Sequence, residues 1–203
     1  MNRFRSIFAS ALTGVLILGA SASALASDWD VDAAHSHVGF GVRHMMVSTV
    51  HGEFGKYTGT ISLDDGGDFS KAKAHLQIDA TSITTGNDKR DEHLKSPDFF
   101  DVAHFPTIVF DSTKVEKHGA NGLILTGNLT IKNITKPVVL TVSDLTPEVK
   151  DPRGGTRRGA TATAKINRKD FGLTWNKALE AGGVVVGDDV NLEIEVELSK
   201  HKA

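Results

Sequence analysis

From Val190 to Leu198 the side chains alternate apolar and polar without a break: Val, Asn, Leu, Glu, Ile, Glu, Val, Glu, Leu. A period of two puts every second side chain on the same face of an extended strand, so this stretch has one greasy and one charged face. Weaker versions recur over 38–44, 51–63, 71–79, 107–117, 122–131, 137–146 and 158–168, and with 189–199 they make eight predicted strands. Asp64-Asp65-Gly66-Gly67, Gly119-Ala120-Asn121-Gly122, Lys132-Asn133, Asp151-Pro152-Arg153-Gly154-Gly155 and Gly187-Asp188-Asp189 fall between them. These turns supply the Asx and positive-φ positions that hairpins require. With no long helical pattern between the strands, the chain is predicted to be all-β, an eight-stranded antiparallel barrel.

Two connections are not hairpins. Thr81 to Pro106 is long, with Asn87 or Asp88 placed to cap a short helix and Ser96-Pro97 placed to stop it. Phe99, Phe100 and Phe105 follow, more aromatic surface than a solvated loop carries. Phe171 to Gly187 is the second, with Trp175, Ala178 and Leu179 at helix-like spacing. Both are expected to plug a barrel end as short capping helices.

The N-terminus reads as an export signal. Arg3 and Arg5 precede an apolar run from Ile7 to Ala20, and Ala24-Leu25-Ala26 is a small-x-small cleavage site. Ser10, Thr13, Gly14 and Gly19 break the run below the roughly 18 to 20 apolar residues a membrane span needs. Residues 1–26 are therefore expected to be a cleaved Sec-type signal peptide and 27–203 a single domain, with the periplasm as destination. Cleavage removes two arginines and no acid, moving the formal charge from −2 to −4. That mild acidity argues against nucleic acid or an anionic membrane surface as a partner. There is no cysteine, so disulfides, thiolate metal sites and cysteine nucleophiles are excluded.

Side-chain volume argues for a cavity. Ala160, Ala162, Ala164 and Ile166 share one strand face and Ala72, Ala74, Leu76 and Ile78 another, so two faces are half alanine. An eight-stranded lumen is just filled by side chains or holds one small ligand, and alanine fills it poorly. Since empty interior costs about 24 cal/mol per Å³, the space calls for a ligand or for Phe99, Phe100 and Trp175; both readings stand at this point. A membrane barrel also alternates but wants aromatic girdles. This chain has one Tyr and two Trp, which favours a greasy face turned inward. The expected lining is Val38, Phe40, Val42, Ile78, Phe110, Leu125, Leu129 and Ala162, with Phe100 and Trp175 near the closures.

Catalytic signatures are missing. There is no Gly-x-Ser-x-Gly elbow, no phosphate loop and no dinucleotide fingerprint, so an enzyme is not predicted and no cofactor is expected. The acid pairs Asp64-Asp65 and Asp188-Asp189 sit in predicted turns. His35, His37 and His44 form the alternative, a metal-binding set, without a supporting carboxylate motif. Arg90-Asp91-Glu92-His93-Leu94 could rim a barrel mouth for a polar head group or tie the helix to the barrel, and the two readings are even.

Several segments together resemble the YceI-like family of exported polyisoprenoid-binding proteins. They are Trp29-Asp30-Val31-Asp32 with His35-Ser36, Phe40 and His44, Gly52-Glu53-Phe54 with Gly59, and Ser82-Ile83-Thr84-Thr85. Arg90-Asp91-Glu92-His93-Leu94, Asp98-Phe99-Phe100-Asp101, Phe105-Pro106, Gly127-Asn128-Leu129-Thr130, Thr135-Lys136-Pro137-Val138 and Asn167-Arg168-Lys169-Asp170-Phe171-Gly172 continue the match. The resemblance implies a lipocalin-like barrel that holds a long isoprenoid lipid, such as a quinone, a polyprenol or a precursor, for transport or storage. Related members bind fatty acids or amides. The implied partners are that lipid and, transiently, a membrane; homodimer formation stays open, and no catalytic residue carries over.

Overall fold

The computed structural model describes residues 26–64, 69–120, 122–179 and 183–201. The expected signal peptide, apart from its last residue, lies outside the described residues, as do most of the turn at 64–67 and Asn121 of the turn at 119–122.

Among the described residues twelve strands form one sheet: β1 (Ala26–Val31), β2 (His37–His44), β3 (Ser48–Phe54), β4 (Tyr57–Asp64), β5 (Lys73–Asp79), β6 (Ile83–Thr84), β7 (Thr107–His118), β8 (Gly122–Ile131), β9 (Ile134–Ser143), β10 (Val149–Lys150), β11 (Thr156–Asn167) and β12 (Val186–Lys200). All pairings are antiparallel. β1 and β2 are two halves of one stave, since β12 pairs with β2 through residues 186–195 and with β1 through 198–200. β3 with β4 and β5 with β6 are broken in the same way. Eight staves result, and the β11–β12 ladder closes them into an antiparallel barrel.

The breaks explain where the alternation reading differs from the structure. It begins at Val38 and misses β1, because the 3-10 turn Ala33–His35 interrupts the period between Val31 and His37. Polar groups hold the break in place. The Ser36 hydroxyl donates to Asp32 O (2.7 Å) and accepts from Glu197 N–H (2.9 Å), while the Tyr57 hydroxyl donates to Ser36 O (2.6 Å). Burial first, then the nearby Glu53 carboxylate, push the Tyr57 phenol up.

Outside the sheet the described residues form one α-helix, α1 (Asp88–Lys95), which Asn87 caps by accepting from Arg90 N–H (3.1 Å). The helix expected around Trp175 is not formed. Ala178 bridges Val184 and Leu179 N–H donates to Gly183 O, giving a hairpin instead. Asn176 fixes this geometry by bonding both the N–H and the C=O of Val186. β9 and β11 pair over only three residues, and Phe171 and Leu173 join the core beside that splay.

Candidate functional site

The strand alternation sorts β12 cleanly. Val190, Leu192, Ile194 and Val196 face an internal cavity of about 260 Å³, while Glu195 and Glu197 lie at the outer surface with Arg157 and Arg158. The lining runs from Val31, Ile61 and Val196 at one end to Val42, Val186 and Val190 at the other. Of the expected residues, Val38, Phe40, Val42, Ile78, Phe100, Phe110, Leu125, Leu129 and Ala162 lie on its wall. Trp175 does not; it packs against Phe99 (5.3 Å between ring centroids) and the edge of His93 (4.8 Å). The alanines divide: Ala74, Ala160 and Ala162 line the cavity, Ala72 packs at the closed end and Ala164 against the main core.

Two glycines make room for two of the lining phenylalanines. A Cβ on Gly52 would stand 2.5 Å from the Phe40 ring, and one on Gly127 would stand 2.3 Å from Phe110. Both rings therefore reach over bare backbone, into space that a side chain at either glycine would occupy. Phe40, Phe54 and Phe100 form a row with centroid separations of 5.8 and 5.9 Å.

One end is sealed by hydrocarbon. Trp29 (0 % exposed), Leu63 and Leu198 form a separate cluster with Phe69 and Ala72 against it. At the other end α1 supplies Leu94 to the lining, and the loop after it supplies Phe99 and Phe100. Arg90 and Asp91 turn to the barrel. The Asp91 carboxylate accepts from Thr85 N–H (2.9 Å) and from the hydroxyls of Thr84 and Thr85, and Arg90 donates to Thr85 Oγ1 and O. Burial of Asp91 works to raise its pKa, but the hydrogen bonds from Thr85 and Thr84 outweigh it and hold the carboxyl below its usual range. Of the two readings of this block, the tie to the barrel is the one these two side chains perform.

Arg168 is the charged group that the alternation reading overlooks. It is 4 % exposed and reaches the lumen wall. Its Nε donates to Gly187 O (2.8 Å), Nη1 to Leu173 O and to Trp175 O (2.9 Å), and Nη2 to Val186 O (3.4 Å) and Asp188 (3.5 Å). All five N–H groups of the guanidinium are thereby engaged in strapping 173–187 to the barrel. Burial pushes its pKa down, opposed by Asp188. The remaining cavity wall is hydrocarbon and aromatic apart from His75, whose ring pairs with Asp111 (2.7 Å) on the outside. Such a wall binds by dispersion and exclusion of water, and it carries no nucleophile or free base.

The expected trio His35, His37 and His44 is not assembled. The 3-10 turn takes His35 off the strand and toward Asp32 (3.2 Å), while His37 pairs with Glu53 on β3 (3.0 Å). Asp32, His35 and Glu197 do converge. The cation among them is Arg157, whose Nη1 lies 2.7 Å from Asp32 and 3.4 Å from Glu197, and whose Nε is 3.1 Å from Asp151. His35 first, and Arg157 after it, hold the Asp32 carboxyl below its usual range against the effect of burial.

Comparison with known proteins places this architecture. The YceI-like domain matches residues 29–198. A UPF0312 protein of Staphylococcus aureus (strain bovine RF122 / ET3-1) is 38% identical over 174 residues, covering 85% of this chain and 98% of its own. The Campylobacter jejuni YceI protein superposes with a TM-score of 0.66 at 33% identity, over 84% of this chain and 96% of its own. A domain of Saccharophagus degradans described as polyisoprenoid binding shares the fold at a TM-score of 0.60 and 16% identity, over 84% and 97%. With the match spanning nearly every stave of the barrel, the chain belongs to the YceI-like family.

Proposed function

We propose that this chain is an exported, periplasmic binding protein that holds an apolar chain, an isoprenoid lipid in the first instance, in the barrel lumen for transport or storage. The observation that carries the reading is the cavity itself. At about 24 cal/mol per Å³, 260 Å³ of empty lumen costs on the order of 6 kcal/mol, comparable to the whole stability of a domain. A protein that keeps such a space open, with Phe40 and Phe110 accommodated over glycine, is built for an occupant. The leader at 1–26 supports export, and the polyisoprenoid-binding description of the Saccharophagus domain on the same fold supports the ligand class.

Loading follows from the same numbers. An isoprene unit drawn from water gains roughly 4 kcal/mol at about 0.8 kcal/mol per carbon, but one drawn from a bilayer leaves one apolar medium for another and that gain cancels. What remains is the relief of the cavity, which favours the filled protein. By the scale on which an apolar cavity of about 150 Å³ holds one benzene, 260 Å³ takes roughly ten carbons, or two isoprene units. A longer chain requires the row Phe40, Phe54, Phe100 to give way.

Native mass spectrometry of protein purified without detergent, followed by lipid extraction, tests the reading. An isoprenoid or other long-chain adduct is expected. A bare protein that also fails to take up quinone or polyprenol when offered would overturn it.

A further inference from the structure

The hairpin between β2 and β3 is built against its own chemistry. Among the described residues five large hydrophobic side chains are exposed, and three are consecutive there: Met45 (44%), Met46 (59%) and Val47 (77%). Val47 N–H donates to His44 O (3.0 Å) across a turn whose central residues, Met45 and Met46, have φ of 50° and 62°. Two positive φ values in succession define a type I′ turn, for which Asn-Gly is the favoured pair. Two methionines in that place are strained, and their side chains stand exposed. The loop is also braced. Arg43 donates from Nη2 to Met46 O (2.8 Å) and from Nη1 to Thr49 Oγ1 (3.1 Å), and Met45 N–H donates to Val185 O (2.8 Å).

What surrounds the tip says what it meets. Arg43 and the exposed Lys177, whose carbonyl accepts from Val185 N–H (3.0 Å), have no carboxylate partner among the described residues. The neighbouring Asp188 and Asp189 are paired with Lys169, Arg168 and Lys165. The tip is thus an apolar wedge flanked by two cations that have no carboxylate partner among the described residues, a local positive charge on a chain whose net charge of −2 taken alone argues against an anionic surface. Three side chains fall far short of the roughly 800 Å² per partner that a stable dimer needs. An anionic bilayer surface demands no such match, because it accepts a small apolar insertion beside basic side chains. The tip also continues into the lumen: Val42 and Val186, on the strand ends that carry it or pair with it, line the cavity.

We propose that Met45, Met46 and Val47, with Arg43 and Lys177 beside them, dock this protein on an anionic phospholipid bilayer. The inference rests on the lumen reading for its purpose, lipid exchange, but is measured independently of it. Protein purified as cells process it is floated with vesicles of phosphatidylcholine and phosphatidylglycerol (3:1) and with phosphatidylcholine alone. The test variant is Met45→Asn/Met46→Gly/Val47→Ser, which installs the pair the turn prefers, so its melting temperature is expected to hold or rise. Wild type is expected to float with the anionic vesicles at least tenfold more strongly than the variant, and to transfer a fluorescent quinone between vesicles faster. Equal flotation of the two proteins overturns the docking, as does a wild-type dimer that the variant splits in sedimentation. Tip-dependent flotation without any lipid uptake upholds the docking and removes the lumen reading alone.

Discussion

At the end of the barrel where β1 and β12 meet, Trp29, Leu63 and Leu198 pack on one another with almost no exposure. At the opposite end, segments 173–179, 183–187 and 85–102 bury Leu173 and Phe99 in the core, but a few polar side chains, Arg168, Asn176 and Asp91, tie their backbone to the staves. The difference is one of mechanism. Hydrocarbon packing shares its stabilisation among many contacts of the central fold and fails only when the fold fails. A strap of side-chain to backbone hydrogen bonds ties peripheral chain, so it can release while the ladders behind it persist. The first end is a floor and the second a cover, and under the proposed function exchange of lumen contents is expected past the second.

The sharpest test removes the floor. Trp29→Ala is expected to cost about 3–5 kcal/mol of global stability in urea denaturation, with hydrogen-exchange protection falling across every stave. Arg168→Met comes next. It leaves the carbonyls of Gly187, Leu173 and Trp175 without their donor and is expected to cost about 2–4 kcal/mol. Here exchange should rise first over 173–187 while β5, β7 and β8 stay protected. Uniform loss in both variants would erase the distinction between the ends.

Asp91 sharpens it by pH. Its carboxyl is held below the usual range, so its contribution is intact above the unfolded value of about 4 and is lost as pH falls through the folded value. Asp91→Asn is expected to lower stability by about 1–3 kcal/mol at neutral pH. The gap to wild type should close below about pH 4. A gap that persists in acid would mean the Thr84 and Thr85 bonds do not depend on the charge.

How far all this is legible in the sequence follows from which interactions are local. The alternation of β12 reads directly, and so do the inward faces carrying Val38, Phe40, Phe110 and Ala162, because a period of two is a property of the strand alone. Trp29 enters the sequence reading only through the family resemblance and not as core, because it precedes a break in its stave and lies three residues past the expected cleavage site. Arg168 appears in the sequence reading only within the resemblance, and nothing local marks it as buried, because its partners are carbonyls up to nineteen residues away. The expected helix at Trp175 follows from apolar spacing, whereas Asn176 commits that backbone to Val186 instead. The metal-binding set fails because the 3-10 turn that ends at His35 takes that residue off the strand carrying His37 and His44. The Met45-Met46 turn is hidden for the opposite reason: its residues are the wrong ones for its conformation.

The smallest expected effect bears on what lies between floor and cover. Ala162→Leu adds three carbons to the lumen wall without touching either closure. In the empty protein it fills space and is expected to raise stability by about 1 kcal/mol, seen as a shift of the urea midpoint. In protein carrying lipid the same side chain competes for the site, so the added stabilisation from saturating ligand should shrink or vanish. The two measurements together separate a lumen that is merely slack from one that is kept for an occupant. Slack would show the gain in stability with the co-purifying lipid unchanged, whereas a binding site must trade the second for the first.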